Sequence, residues 1–201
     1  MSVSDSSEVA VTGNGVINTA TSAVFNGAGG GIAFDSGNLF RYGRLSLNNA
    51  SGAETLNLPV PLQAQYWNGA NFIVNAADNC TRLNASSIAM GNYTKNLTPC
   101  ATALSLGSPL INGIGNLKLL APGANRNGSV DLTVNLQAAA PPAGSLTCLT
   151  TGTTQSPVAA AGLSYLQGKW SGTNYNVDPV VRATFGVYKN ANEFIFMREM
   201  Y

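Results

Sequence analysis

Glu54-Thr55-Leu56-Asn57-Leu58-Pro59-Val60-Pro61-Leu62-Gln63-Ala64-Gln65-Tyr66-Trp67-Asn68-Gly69 carries an apolar residue at every even position from 56 to 66. Successive side chains of a strand point to opposite faces, so this alternation predicts a β-strand with one face buried. Pro59 and Pro61 both fall at odd positions, where each removes a backbone donor from the same lateral side of the strand. The segment is therefore expected to pair mainly through its even-numbered N–H groups. Its other side is expected to be an edge or a locally broken ladder. Asn68-Gly69 is a hairpin-turn dipeptide and predicts that the chain returns as Phe72-Ile73-Val74.

Outward from this strand the pattern repeats. Phe40 and Tyr42, then Leu45 and Leu47, form a strand whose apolar phase changes at Gly43, the mark of a β-bulge or a close backbone approach. Residues 76–115 are polar and broken, with Leu104, Leu106, Leu110, Ile111 and Ile114 as candidate core residues. Leu117 and Leu119 begin another strand. Val130, Leu132, Val134 and Leu136 alternate cleanly, as do Val181, Ala183, Phe185 and Val187. Phe194-Ile195-Phe196-Met197 is apolar on both faces and predicts a central strand. Residues 8–34 read as short strands punctuated by Gly and Asn, and 157–168, Ala-rich, is the best candidate for a helix. The sum is an all-β fold: an antiparallel β-sandwich with long loops and at most one short helix.

Composition narrows the function. Only 9% of the 201 residues are charged, against roughly a quarter in ordinary soluble proteins. A net charge of +1 provides no phosphate-neutralising patch, so no nucleic-acid partner is expected. No apolar run is long enough to span a membrane as a helix. Met1–Ser7 has neither the basic start nor the apolar core of a signal peptide, so export would require a signal upstream. There is no histidine, and the three cysteines at 80, 100 and 148 form no CxxC pair, so no Cys/His zinc site is expected. Asp35, Asp78 and Asp131 lack EF-hand spacing, and Gly29-Gly30-Gly31 is followed by no Lys-Ser/Thr. No cofactor and no metal are expected.

Candidate chemistry is sparse. Glu54, Asp78, Asp131, Asp178, Glu193 and Glu199 are the acids available for glycoside hydrolysis, but their scatter shows no pairing. A serine nucleophile without histidine needs a lysine base, and no Ser-x-x-Lys occurs. No catalytic residue is assigned. Arg44, Arg182 and Arg198 lie in or beside strands and are read as structural ion-pair partners of Glu54, Asp178 or Glu199 rather than ligand-binding groups. Tyr66, Trp67 and Trp170 are candidates for stacking on a sugar, while packing against the sheet is the more ordinary use of such rings.

Two segments go beyond pattern. Phe40-Arg41-Tyr42-Gly43-Arg44-Leu45-Ser46-Leu47-Asn48-Asn49-Ala50, with Leu58 to Gly69 and Asp78-Asn79-Cys80-Thr81, resembles the signature of the DUF6701 family. So does Asp178-Pro179-Val180-Val181-Arg182-Ala183-Thr184-Phe185-Gly186-Val187-Tyr188-Lys189 with Glu193 to Tyr201. The family's region is the C-terminal part of MshQ-like proteins, attributed to biogenesis of the mannose-sensitive haemagglutinin, a type IV pilus. The resemblance implies residues 37–201 as the family-like β domain, with 1–36 an N-terminal strand-rich segment. It also implies an exported, surface or pilus-associated protein without catalytic residues. The partners it suggests are pilus or surface proteins, copies of the same chain, or surface glycans. A self-associating subunit built by strand addition and a hydrolase are the alternatives. In the oxidising compartment so implied, Cys80 and Cys100 are expected to form the disulfide across their polar, turn-rich loop, leaving Cys148 unpaired.

Overall fold

A computed structural model describes residues 41–136, 144–170 and 175–186 of the chain, all within one compact unit, Arg41–Tyr201. Strands β1 (Gly43–Leu47), β3 (Leu58–Trp67), β4 (Phe72–Val74), β6 (Leu104–Leu106) and β7 (Ile114–Leu119) form one sheet in the order β1-β3-β7-β6, with β4 also beside β3. Strands β2 (Ala50–Gly52), β5 (Ile88–Gly91), β8 (Gly128–Val134) and β11 (Val180–Phe185) form the second, ordered β2-β11-β8-β5. A hairpin of β9 (Thr147–Thr150) and β10 (Thr153–Gln155) completes the set. All described strand pairings are antiparallel except β2 with β11, which run parallel.

The alternation that predicts β3 also builds the core. Leu58, Val60, Leu62 and Ala64 are buried, while Pro59 and Pro61 face solvent. They share one hydrophobic cluster with Leu45 and Leu47 of β1, Leu117 and Leu119 of β7, and Val130, Leu132, Ala183 and Phe185 of the second sheet. Burying each large aliphatic side chain contributes roughly 1.5–3 kcal/mol. The strand begins at Leu58, and Leu56 lies in the preceding turn, largely exposed.

The proline argument holds in detail. On the even side β7 pairs from Leu58 to Gln63 and β4 from Gln65 to Trp67. On the odd side β1 pairs only from Leu62 to Tyr66, and the last contact beyond it is the Asn48 N–H donating to the Pro61 carbonyl. The ladder to β1 stops where the prolines remove the donors. At the other end Gly69 has φ +106° and the Asn68 side chain accepts from the Ala70 and Asn71 N–H groups, closing the turn as its dipeptide predicts.

Of the two readings of Gly43, the close backbone approach holds and the bulge does not: β1 and β3 keep an unbroken register from Gly43–Tyr66 to Leu47–Leu62, and a Cβ at Gly43 would sit 3.3 Å from the Gln65 carbonyl oxygen. Three expectations change. Leu117 and Leu119 end β7 rather than begin a strand, and Ile111 and Ile114 are exposed. Residues 157–168 form no α-helix but a single 3-10 turn at Ser164–Leu166, because Gly162 takes φ +73° and breaks the run. The predicted strands at 8–34 and 194–197, together with Val187, lie outside the described residues.

The disulfide is also corrected. Cys100 bonds to Cys148, with Cα atoms 5.2 Å apart, and Cys80 is a free, exposed thiol. The reason is position in three dimensions. Cys148 is buried on β9, and the β9–β10 turn docks on Cys100 through the Gly152 N–H donating to the Cys100 carbonyl. Cys80 is held elsewhere by Asp78. Closing a loop across 48 residues contributes about 4 kcal/mol in the chain-entropy model. Thiol titration of the denatured, unreduced protein should therefore find one reactive group, at Cys80, and peptide mapping should join Cys100 to Cys148; a Cys80–Cys100 peptide would refute the assignment.

Leu62 supplies a second test. It lies opposite Gly115 of β7, where a Cβ would approach its Cδ2 to 2.5 Å. Leu62→Ala should cost about 2–5 kcal/mol by leaving a cavity, and Gly115→Ala about 1–3 kcal/mol by overpacking. In urea titrations the double variant should be less unstable than the sum of the two, because the added methyl enters the vacated space.

Candidate functional site

The outward side of the first sheet, near the β3–β4 hairpin, gathers several aromatic rings; Tyr66, and Arg41 over it, lie on the opposite phase. Three distant pieces of chain supply the outward side: Tyr42 and Arg44 at the start of β1; Trp67 and Phe72 at the β3–β4 hairpin; and Trp170 and Tyr175, which fall between the two residues of the Gly168–Val177 bridge. Both backbone hydrogen bonds of that bridge form, at 3.0 and 3.2 Å. The hairpin register places Trp67 opposite Phe72, with ring centroids 5.3 Å apart, edge to face. Tyr42 lies 6.1 Å from Phe72 and meets Tyr175 edge-on at 5.3 Å.

Arg44 stands at the centre. Its guanidinium carbon is 3.9 Å from the Phe72 ring centroid and 4.5 Å from that of Trp170, and its Nε donates to Gln65 Oε1 at 2.9 Å. Each such cation–ring contact is worth roughly 0.5–1 kcal/mol when exposed and about 2 when desolvated. Arg44 therefore ties Trp170 to the sheet. Burial lowers the Arg44 pKa, while the Tyr175 and Tyr42 hydroxyls nearby act to raise it. Burial also raises the Tyr42 pKa, with Tyr175 adding to it. Arg41 is exposed, lies 4.1 Å above the Tyr66 ring, and donates from Nη1 to Asn75 Oδ1 at 2.6 Å.

Of the three aromatic candidates, Tyr66 is half-buried beneath Arg41, Trp67 is 44% exposed, and Trp170 is half-buried beneath Arg44. The Nε1 of Trp170 is buried and meets no acceptor among the described residues. Tyr42 and Tyr175, 50% and 48% exposed, complete the face. Neither was a candidate from sequence. The signal for Tyr42 is that it shares the strand's outward phase with Arg44; for Tyr175 there is none.

The ion-pair expectations are redrawn. Arg44 pairs with rings and an amide rather than with Glu54. Arg182 pairs with Asp131, its cross-strand neighbour, through Nε–Oδ1 at 2.7 Å and Nη2–Oδ2 at 2.9 Å, rather than with Asp178. Glu54 accepts from the Asn125 N–H, and Asp178 accepts from Gln167 Nε2. Arg198 and Glu199 lie outside the described residues.

The acids are engaged singly. The Asp131 carboxyl is pulled below its ordinary range, chiefly by the Arg182 hydrogen bonds. Burial pushes Asp78 up, but donation from the Thr81 hydroxyl and N–H and from Cys80 outweighs it and leaves the carboxyl lowered. Burial raises Asp178, against the pull of Gln167. Each of these three acids is engaged by its own neighbours: Asp78 by Thr81 and Cys80, Asp131 by Arg182 and Asn92, Asp178 by Gln167. An open groove beside β6 and β7, lined by Gly107, Ser108, Pro109, Ile111, Ile114, Gly115 and Asn116, holds no ionisable side chain. No cluster of three or more metal-ligating side chains occurs among the described residues.

These features define the class: a two-sheet β-sandwich with one internal disulfide and an aromatic–arginine face on the outside of one sheet. The chain belongs to the DUF6701 family, whose fourth domain matches residues 41–200. No curated protein and no solved structure gave a match.

Asp78, and to a smaller degree Asp131 with its exposed partner, contribute to the acid side of stability. Their folded pKa values lie below the unfolded value of about 3.9, so their ionised forms stabilise the fold above that pH and the contribution disappears as pH falls through the folded values. Asp178, raised on folding, acts with the opposite sign and favours the fold as it protonates. Urea unfolding between about pH 6 and pH 2 should show stability falling, with a shallower fall in Asp78→Asn and in Asp131→Asn; an unchanged slope in both variants would show that these contacts carry none of it.

Proposed function

We propose that this domain is a non-enzymatic adhesion or structural module of an exported bacterial surface or pilus-associated protein, of the kind the DUF6701 family's link to MshQ-like proteins suggests. The observation that carries this reading is the outward face bearing Tyr42, Trp67 and Tyr175 around Arg44, since aromatic side chains and arginine are the groups enriched where surfaces bind partners. The disulfide supports an oxidising, extracytoplasmic location. No described helix is long and apolar enough to cross a membrane. Pilus or surface proteins and surface glycans are the partners this reading favours.

Self-assembly by strand addition onto β3 is less well supported, because β7 and β4 occupy its even side, β1 takes the odd side from Leu62 to Tyr66, and Pro59 and Pro61 offer no backbone donors on the remainder. A hydrolase is less well supported still, since each described acid of the candidate set is committed to its own local partner.

The test is genetic. A strain carrying the gene without codons 41–201 should attach poorly to surfaces or show altered pilus number, and restoring the segment should recover both. Normal attachment together with normal piliation would overturn the proposal.

A further inference from the structure

We propose that the aromatic–arginine face is a binding site for a carboxylate-bearing saccharide, with Trp67, Tyr42 and Tyr175 stacking on sugar rings and Arg44 taking the carboxylate. The inference rests on the surface-module reading above and gives that module its ligand class.

Arg44 is a cation whose described partners are all neutral. A guanidinium carries five N–H donors in a planar fork. Described side chains take one donor from Arg44, its Nε. The group lies against ring faces, which engage the flat side of a guanidinium and leave its N–H edge to a two-pronged acceptor. Among the described residues no carboxylate comes within ion-pair distance of Arg44; the ion pair found there is Arg182 with Asp131, on the second sheet. In a chain with nine acids against ten bases, this cation is held by neutral groups among the described residues. Arg44 is also partly desolvated, and an incoming carboxylate would replace the solvation it lost.

The rings decide the rest of the ligand. The exposed groups on this face are the Trp67 indole and the Tyr42 and Tyr175 phenols, bordered by the amides of Gln63, Gln65 and Asn68. Aromatic surfaces flanked by amides suit the C–H faces and hydroxyls of a sugar. The exposed Ile73 pairs with Tyr66, on the inward phase of β3, so these rings are bordered by amides and a guanidinium rather than by aliphatic side chains. The weight of ring, amide and unneutralised guanidinium therefore favours an acidic sugar over a peptide.

Binding is read by tryptophan fluorescence and calorimetry on the disulfide-intact protein, with a short oligogalacturonate as probe and a neutral oligomannoside as comparator. The chain holds 2 tryptophans, and both stand at this face. Oligogalacturonate should bind, more tightly than the neutral sugar, and added salt should weaken it. Trp67→Ala should reduce affinity about tenfold or more. Arg44→Gln should reduce affinity for oligogalacturonate more than that for the neutral sugar. Near-UV dichroism and melting establish that each variant is folded; if Trp67→Ala is not, Tyr175→Ala takes its place.

No binding of oligogalacturonate at millimolar concentration, equal binding of the neutral sugar, or equal binding by the folded variants overturns the proposal. So does concentration-dependent self-association that quenches the tryptophans without any sugar and is lost in Trp67→Ala, which makes the face a contact between protein chains. The two readings fail separately. Cells whose attachment depends on residues 41–201 and on Trp67, but whose domain ignores oligogalacturonate, keep the surface-module reading and lose the ligand class; cells that attach normally without the domain lose the module.

Discussion

Leu62 sits where both ladders of the first sheet cross. It faces Leu47 on β1 and Gly115 on β7, is fully buried, and fills the space that the glycine leaves. A slip of one residue in either pairing would turn Leu58, Val60 and Ala64 out to water and bring Pro59, Pro61 and Gln63 into the core. The rest of the sandwich depends on this register. The second sheet, with Phe185, Ala183, Leu132 and Val130 all buried, has an apolar surface to pack on only because β3 presents its even side inward.

The same register produces the outward face. Once the even residues of β3 point in, Gln63, Gln65 and Trp67 must point out, and antiparallel pairing sets Arg44 opposite Gln65 and Phe72 opposite Trp67. A charge-poor surface then has few carboxylates to offer its arginines, and Arg41 and Arg44 settle on rings and amides instead. Where an acid does stand opposite, as Asp131 does to Arg182 across β8 and β11, an ordinary forked ion pair forms. Surface pairs of that kind contribute little to stability. Ring-bound guanidinium groups fix local geometry and keep donors available.

The disulfide handles a different weakness. The β9–β10 hairpin is a two-stranded piece with an exposed second strand, and such a hairpin is marginal alone. It is held by the bond from Cys148 to Cys100, by the Gly152 N–H on the Cys100 carbonyl, and by the paired hydrogen bonds of Met90 and Leu146. Cys80 takes no part; its loop is already set by the Asp78 carboxylate, which accepts from the Cys80 and Thr81 N–H groups and the Thr81 hydroxyl.

Local rules were enough for whatever depends on a residue and its near neighbours. Period-two alternation marked β3, β8 and β11, the prolines marked where the β1 ladder stops, and Asn68-Gly69 marked the hairpin, because side-chain direction, a missing donor and a permissive φ are properties of the chain itself. Tertiary structure decided what depends on which segments meet: the pairing of Cys100 with Cys148 across 48 residues, Asp131 as the partner of Arg182, the parallel pairing of β2 with β11, and the joining of Tyr175 and Trp170 to Arg44. In each of these the partners are far apart in sequence, and the contact exists only because burying one face of every strand leaves the two sheets a single way to stack.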